Sequence, residues 1–182
     1  MLLSFFIVGF TLALLLFLLS MIWPPDSPWS PWWRTNGKVA KAMIKLADIS
    51  KDDIIYDLGC GDGSVLMRAA KSKGVKGVGL EIDPSRVIIA KARMLIGGVS
   101  GLVTIKRRDL FSEDISRASV IIVYLVPKTL KRLEPKFIKE LKPGSKVISY
   151  VYPIDYLPIL ATDEKNQIRI YKIPNKVSRK IR

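Results

Sequence analysis

The order of apolar and polar positions divides the chain into unlike parts. From Met1 to Trp23 the sequence is an almost unbroken apolar run, with Ser4, Gly9, Thr11 and Ser20 as its breaks. At about 1.5 Å per residue such a run extends roughly 34 Å as a helix, enough for a bilayer core of about 30 Å. The pattern predicts a single transmembrane anchor over residues 1–23. A secretory signal would want a basic start, a shorter apolar stretch and a small-residue cleavage site, and Ser20-Met21-Ile22 does not supply the last.

The next segment, residues 24–37, is punctuated by Pro24, Pro25, Pro28 and Pro31, which forbid a continued helix and stiffen the chain. The tryptophans Trp23, Trp29, Trp32 and Trp33 fall within eleven positions. Indole rings favour the headgroup layer, so one reading is an interfacial belt. The other folds Trp32 and Trp33 back over an active site as a lid.

From Lys38 the periodicity alternates between helical and strand spacing. Helices are predicted at Lys38–Ala47, Asp62–Ser72, Pro84–Ile96 and Lys128–Leu141. Strands are predicted at Ile54–Leu58, Gly77–Glu81, Val103–Arg107, Ser119–Leu125 and Lys146–Val151. Tyr156–Thr162 and Gln167–Ile173 flank a turn at Asp163-Glu164-Lys165-Asn166 and read as a closing hairpin. Repeated strand–helix units imply an α/β fold whose mostly parallel sheet is covered on both faces, with an antiparallel hairpin at the end. The domain is expected over residues 38–174, followed by a basic tail, 175–182.

Composition changes this picture in three places. The net charge is +14, and residues 1–25 carry no charged side chain, so all of it lies beyond the apolar run. A strongly basic domain favours an anionic neighbour such as lipid headgroups. With Arg34, Lys38, Lys41 and Lys45 following the span and no basic side chain before it, the domain is expected on the cytosolic side of a single-pass membrane protein. The lone Cys60 cannot form an internal disulfide, and the absence of histidine excludes His-dependent hydrolase and zinc chemistry. No metal is called for.

The candidate chemistry centres on Tyr56-Asp57-Leu58-Gly59-Cys60-Gly61-Asp62-Gly63, between a strand and a helix. Glycines there let the backbone turn sharply and let a ligand sit against the main chain. A dinucleotide loop would want glycine at position 64, which is Ser64. Gly59, Gly61 and Gly63 after Asp57 instead have the spacing of loops that hold S-adenosyl-L-methionine (SAM), whose cationic methionine end suits an acid at the strand tip. Glu81, 24 residues after Asp57, ends the next strand, where a carboxylate can accept from ribose hydroxyls. Asp109 follows the third strand and could accept from an adenine amino group, with Ile82 and Leu110 bracketing the ring.

Together with Pro31-Trp32-Trp33-Arg34-Thr35, Val123-Tyr124-Leu125-Val126-Pro127 and Glu140-Leu141-Lys142-Pro143-Gly144, these motifs carry a resemblance. Residues 31–153 resemble the class I SAM-dependent methyltransferases, whose sheet is Rossmann-like. Within them they resemble the small protein-lysine methyltransferases, which include archaeal broad-specificity enzymes and the family acting on the c-ring protein of ATP synthase. The resemblance implies SAM as cofactor and a protein acceptor.

The acceptor end is expected at Tyr124–Pro127, with Tyr124 as the candidate catalytic residue. An Asn or Asp followed by Pro-Pro and an aromatic, which would polarise a base amine, is not found there, and no aromatic–basic RNA motif is seen. An apolar aromatic site suits a lysine side chain, which must lose its proton to attack. The proximity of the expected anchor points to membrane or membrane-associated proteins. Small-molecule, lipid or RNA acceptors form the alternative.

Overall fold

The computed structural model describes residues 2–22 and 33–175, and in its first helix the side chains from residue 4 to residue 19. Helix α1 spans Leu2–Ile22. Among the described residues, no helix is long and apolar enough to cross a membrane. The expected transmembrane anchor is corrected accordingly, and the cytosolic orientation argued from it loses its basis. Trp23, Trp29 and Trp32, on which the interfacial belt rested, lie outside the described residues, as does the basic tail beyond Asn175.

The remaining elements run α2 (Gly37–Leu46), β1 (Ile54–Leu58), α3 (Ser64–Lys73), β2 (Lys76–Glu81), α4 (Pro84–Ile96), β3 (Val103–Arg107), β4 (Val120–Val123), α5 (Pro127–Glu140), β5 (Lys146–Tyr150), β6 (Ile159–Asp163) and β7 (Ile168–Lys172). The sheet order is β3-β2-β1-β4-β5-β7-β6. The first five strands pair in parallel, and β7 pairs antiparallel with both β5 and β6. The Rossmann-like sheet with a closing antiparallel hairpin is therefore present as expected.

Alternation along the strands builds two cores. Ile55, Val120, Ile122 and Ile148 pack with Met43 of α2, Leu66 of α3 and Ala90 and Met94 of α4. Tyr56, Leu58, Ile121, Val123 and Val147 point the other way, towards Leu130, Leu133 and Phe137 of α5. All four residues of β4 are buried, which is why Val-Ile-Ile-Val reads as a continuous apolar run rather than an alternating one.

Several boundaries shift, and three of the shifts have a local reason. Helix α3 starts at Ser64 rather than Asp62 because Gly63, at φ 68°, lies outside the helical region and the Asp62 side chain accepts from Ser64 N. Strand β4 begins after Ser119, whose Oγ accepts from Ile54 N and donates to Asp53 Oδ1. Strand β6 begins after Pro158, which has no N–H to donate to a ladder. Tyr156, expected in that strand, instead donates its hydroxyl to Leu130 O.

Strand order reverses at β1, which lies between β2 and β4. At such a switch point the connections leave in opposite directions and open a crevice beyond the carboxyl ends of the strands. The packing behind that crevice is tight: a Cβ added at Gly79 of β2 would lie 2.7 Å from Cys60 Sγ and 2.8 Å from Ile105 Cδ1. Gly79→Ala is therefore expected to destabilise the fold by about 1–3 kcal/mol, seen as a lower urea midpoint at unchanged slope. A wild-type midpoint would show that the pocket around Gly79 has slack.

Candidate functional site: a cofactor cleft at the sheet switch point

The loop leaving β1 turns through three left-handed residues, Gly59 (φ 83°), Gly61 (φ 54°) and Gly63 (φ 68°). Side chains seldom tolerate that region, which accounts for the glycines. Gly59 N and Cys60 N both donate to Leu80 O at 2.9 Å, drawing the loop onto the end of β2. The glycines divide the work. Gly59 lines the cleft, whereas a Cβ at Gly63 would meet Met94 Cε at 2.9 Å, so Gly63 lets α4 approach.

Glu81 closes β2 and is buried. Its Oε2 accepts from Gly61 N at 2.9 Å, and its Oε1 accepts from Ile82 N at 2.9 Å and Asp83 N at 3.0 Å. A carboxylate has about four lone-pair sites. Three are spent on the backbone, so Glu81 shapes the loop and keeps about one acceptor site for a ligand hydroxyl.

Asp57, Gly59, Glu81, Ile82, Asp109, Leu110 and Tyr124 line one cleft of about 1080 Å³, its solvent-open mouth included. Gly61 and Gly63, also expected at the site, shape the loop behind this lining. Asp109 Oδ1 accepts from Phe111 N at 2.9 Å, which stiffens the turn that carries Leu110. Trp33 lies on the same cleft, in keeping with the lid reading for that residue. Asp62 ties down the segment that carries it: Arg34 Nε and Arg93 Nη2 each lie 3.0 Å from Asp62 Oδ2.

Arg86 and Thr129 also line the cleft and had no role assigned from the sequence. The signal for Arg86 was available, because it shares the four-residue spacing of Ala90 and Met94 on the buried face of α4. A charged residue in an apolar register is a candidate for function. Burial lowers its pKa, while Glu81 and Asp83 pull it back up.

The three acids around the loop are compensated unequally. Asp62 has two arginines and Glu81 has three N–H donors. Asp57, only 5% exposed, has no hydrogen-bond or ion-pair partner among the described residues. Burial, reinforced by Glu81 and Asp62, pushes its pKa up to about 7. Such a site is built for a ligand that brings positive charge, as the sulfonium and ammonium of SAM do. The same burial and acids push the Cys60 thiol well up, so it stays protonated and is no nucleophile.

A family model described as the ANTKMT methyltransferase domain matches residues 57–159. The protein-lysine N-methyltransferase of Saccharolobus islandicus (strain REY15A) is 42% identical over 135 residues, 74% of this chain and 82% of that protein. The adenine nucleotide translocase lysine N-methyltransferase of Mus musculus is 32% identical over 100 residues, 55% of this chain. The chain spans less than half of that relative's length, 44%. Among solved structures, the RNA methyltransferase from Salinibacter ruber in complex with S-adenosyl-L-homocysteine has a TM-score of 0.78 and 34% identity, covering 82% of this chain and 99% of that one. The cofactor is SAM.

Two outcomes test the cleft. A raised Asp57 pKa means that the folded protein without cofactor holds a proton which the unfolded chain has lost. The stability this contributes is present at acid pH and disappears as pH rises through 7. A cationic ligand favours the ionised form, so SAM affinity is expected to be about tenfold weaker at pH 6 than at pH 8, with proton release at the lower pH. In Asp57→Asn this component should vanish, and calorimetric titration in two buffers reads both effects. Gly61→Val, which places a β-branched residue at φ 54°, is expected to abolish SAM binding by the same titration. With the model covering more than half of its length and a relative 42% identical along most of it, the chain belongs to the ANTKMT methyltransferase domain family.

Proposed function

We propose that the protein transfers a methyl group from SAM to the side-chain amine of lysine in a protein acceptor. The observation that carries this reading is the acceptor end of the cleft. Tyr124 stands just past β4, half-buried on the same cleft as Asp57 and Glu81, and is followed by Leu125-Val126-Pro127. The lysine methylation for which the Saccharolobus and mouse relatives are named agrees with it.

When bound, SAM supplies a methyl group on a positively charged sulfur and so arrives already activated. The chain's residues have to align the amine, exclude water and manage one proton. Lysine has an ordinary pKa of about 10.4, and desolvation in an apolar slot beside a cation favours its neutral, nucleophilic form. SAM held beside Asp57 and Glu81 would supply a methyl carbon open to displacement by the amine lone pair, with the C–S electron pair left on sulfur, and Tyr124 would hold that amine. Burial raises the Tyr124 pKa, with Tyr150 and Tyr152 adding to it, so its phenol stays neutral. Tyr124 thus orients the amine through its hydroxyl and ring rather than acting as a base, and the amine proton leaves to solvent.

A second reading has its own observation. The Salinibacter ruber protein is described as an RNA methyltransferase, and this chain carries a net charge of +14. The narrower expectation of membrane-bound acceptors rested on a spanning anchor and loses its main support with it.

Full-length protein incubated with methyl-labelled SAM and, separately, with total cell protein, total RNA and lipid extract separates these classes. The expected result is label recovered as methyllysine after hydrolysis of the protein fraction. Label confined to RNA or lipid would overturn the lysine acceptor and leave the methyltransferase intact.

A further inference from the structure

A neighbouring hollow of about 830 Å³, its open mouth included, shares Arg34, Thr35 and Ser64 with the cofactor cleft. Arg68 of α3 and Arg93 of α4 also line it, so three guanidiniums from separate parts of the chain converge there, and no acid lines it. The carboxylate that compensates them is Asp62, whose Oδ2 takes Arg34 Nε and Arg93 Nη2 and whose Oδ1 accepts from Ser64 N. Arg68 has no ion-pair partner among the described residues, and Arg93 Nε is buried without a hydrogen-bond partner among them. Three guanidiniums against one carboxylate leave a surplus of two positive charges at one place.

The position of Arg68 runs against its own electrostatics. A Cβ added at Gly37, the first residue of α2, would lie 2.6 Å from Arg68 Nη2 and 3.3 Å from Arg68 Cζ. The guanidinium therefore rests over the N-terminal end of α2, and glycine at 37 leaves it the room. That end of a helix carries partial positive charge and is ordinarily met by acids. Helix α2 has no acid in its first turn, and its cap is the neutral Asn36 side chain, which accepts from Lys38 N. A cation over the positive end of a helix is unfavourable until an anion joins them.

We propose that this arginine hollow is an acceptor subsite, which takes an Asp or Glu carboxylate of the acceptor protein lying near the target lysine. The proposal rests on the lysine reading above and deepens it. A lysine brought to a chain of net charge +14 is repelled as it approaches, and acids beside it turn that repulsion into attraction. Guanidinium groups match a carboxylate with paired N–H donors. The hollow meets the cofactor cleft along Arg34, Thr35 and Ser64, so an acid held there brings the adjoining acceptor segment to the cleft. Arg34 and Arg93 also hold Asp62. Arg68 has no such pair to lose, which makes it the specificity-determining residue whose removal isolates the subsite.

Two random copolymers test this as acceptors for the full-length protein with methyl-labelled SAM, one of glutamate and lysine, the other of alanine and lysine. Methyllysine is the readout. The wild-type protein is expected to prefer the glutamate copolymer in kcat/KM, chiefly through KM. Arg68→Gln should lower that preference about fivefold at wild-type SAM affinity. Gly37→Ala keeps the charge but pushes the guanidinium off the helix end. It should lower the preference about twofold, with an equal or higher melting temperature because alanine is the better helix former. Lys139→Gln removes the same charge from exposed α5 surface on the opposite side of the sheet and should keep the wild-type preference. Should only total cell protein yield methyllysine, the same comparison is read from the acids that flank its mapped methyllysines.

Equal use of both copolymers by the wild type, or an unchanged preference in Arg68→Gln, would overturn the subsite. A preference lost equally in Lys139→Gln would overturn it too, since net charge alone would then explain it. Weaker SAM binding in Arg68→Gln would give the hollow to the carboxylate of the cofactor instead. Label found in RNA and lost in Arg68→Gln would give it to phosphate. If the wild-type protein makes no methyllysine on any protein acceptor, the lysine reading fails and the subsite fails with it. Methyllysine formed without a preference for acids sinks the subsite alone.

Discussion

The Glu81 carboxylate holds the cleft together. A buried acid is costly unless its lone pairs are used, and Glu81 uses three of them on the N–H groups of Gly61, Ile82 and Asp83. One side chain thereby ties the loop after β1 to the end of β2 and fixes the mouth between the two strands. The N–H of Gly61 is available for this only because the loop passes through left-handed conformations, and those are open to it only because its residues are glycine. Glu81 in turn helps keep Asp57 protonated, so the acid that shapes the loop also adjusts the one waiting for charge.

The electrostatics of the site follow from how unequally its acids are compensated. Asp62 is satisfied by Arg34 and Arg93, an arrangement that fastens the segment carrying Trp33 to the glycine loop. Asp57 is left for the ligand. Placing the compensating charge on the cofactor makes affinity respond to the ionisation of Asp57.

The end of the cleft at Tyr124 is built differently. There the backbone rather than a salt bridge sets the arrangement, and the Tyr124 ring packs against that of Tyr150. The Tyr150-Val151-Tyr152 turn is tied by bonds from strand β7 and its approach, so the hairpin that closes the sheet does more than cover an edge. It carries the carbonyl of Gln167 and the guanidinium of Arg169 to the end of β5, next to Tyr124.

The sequence by itself determined the parts of this protein whose physics is local. The alternation of strand and helix periods, the glycine loop after Asp57, the acids at the ends of β1 and β2 and the closing hairpin were all legible, because each depends on spacing within one element or one turn. Boundaries moved where side chains compete with the backbone, as Asp62, Ser119 and Pro158 do. The apolar run at the start was legible as a helix, but its reading as a membrane span does not stand, because among the described residues no helix is long and apolar enough to cross a membrane. Only the tertiary structure decided that Glu81 spends acceptors on the glycine loop, that Arg34 and Arg93 share Asp62, and that Arg169 holds Val151 in a left-handed turn. Each of these depends on residues 18 or more positions apart meeting across the sheet or between helices, a distance over which neither periodicity nor propensity carries information.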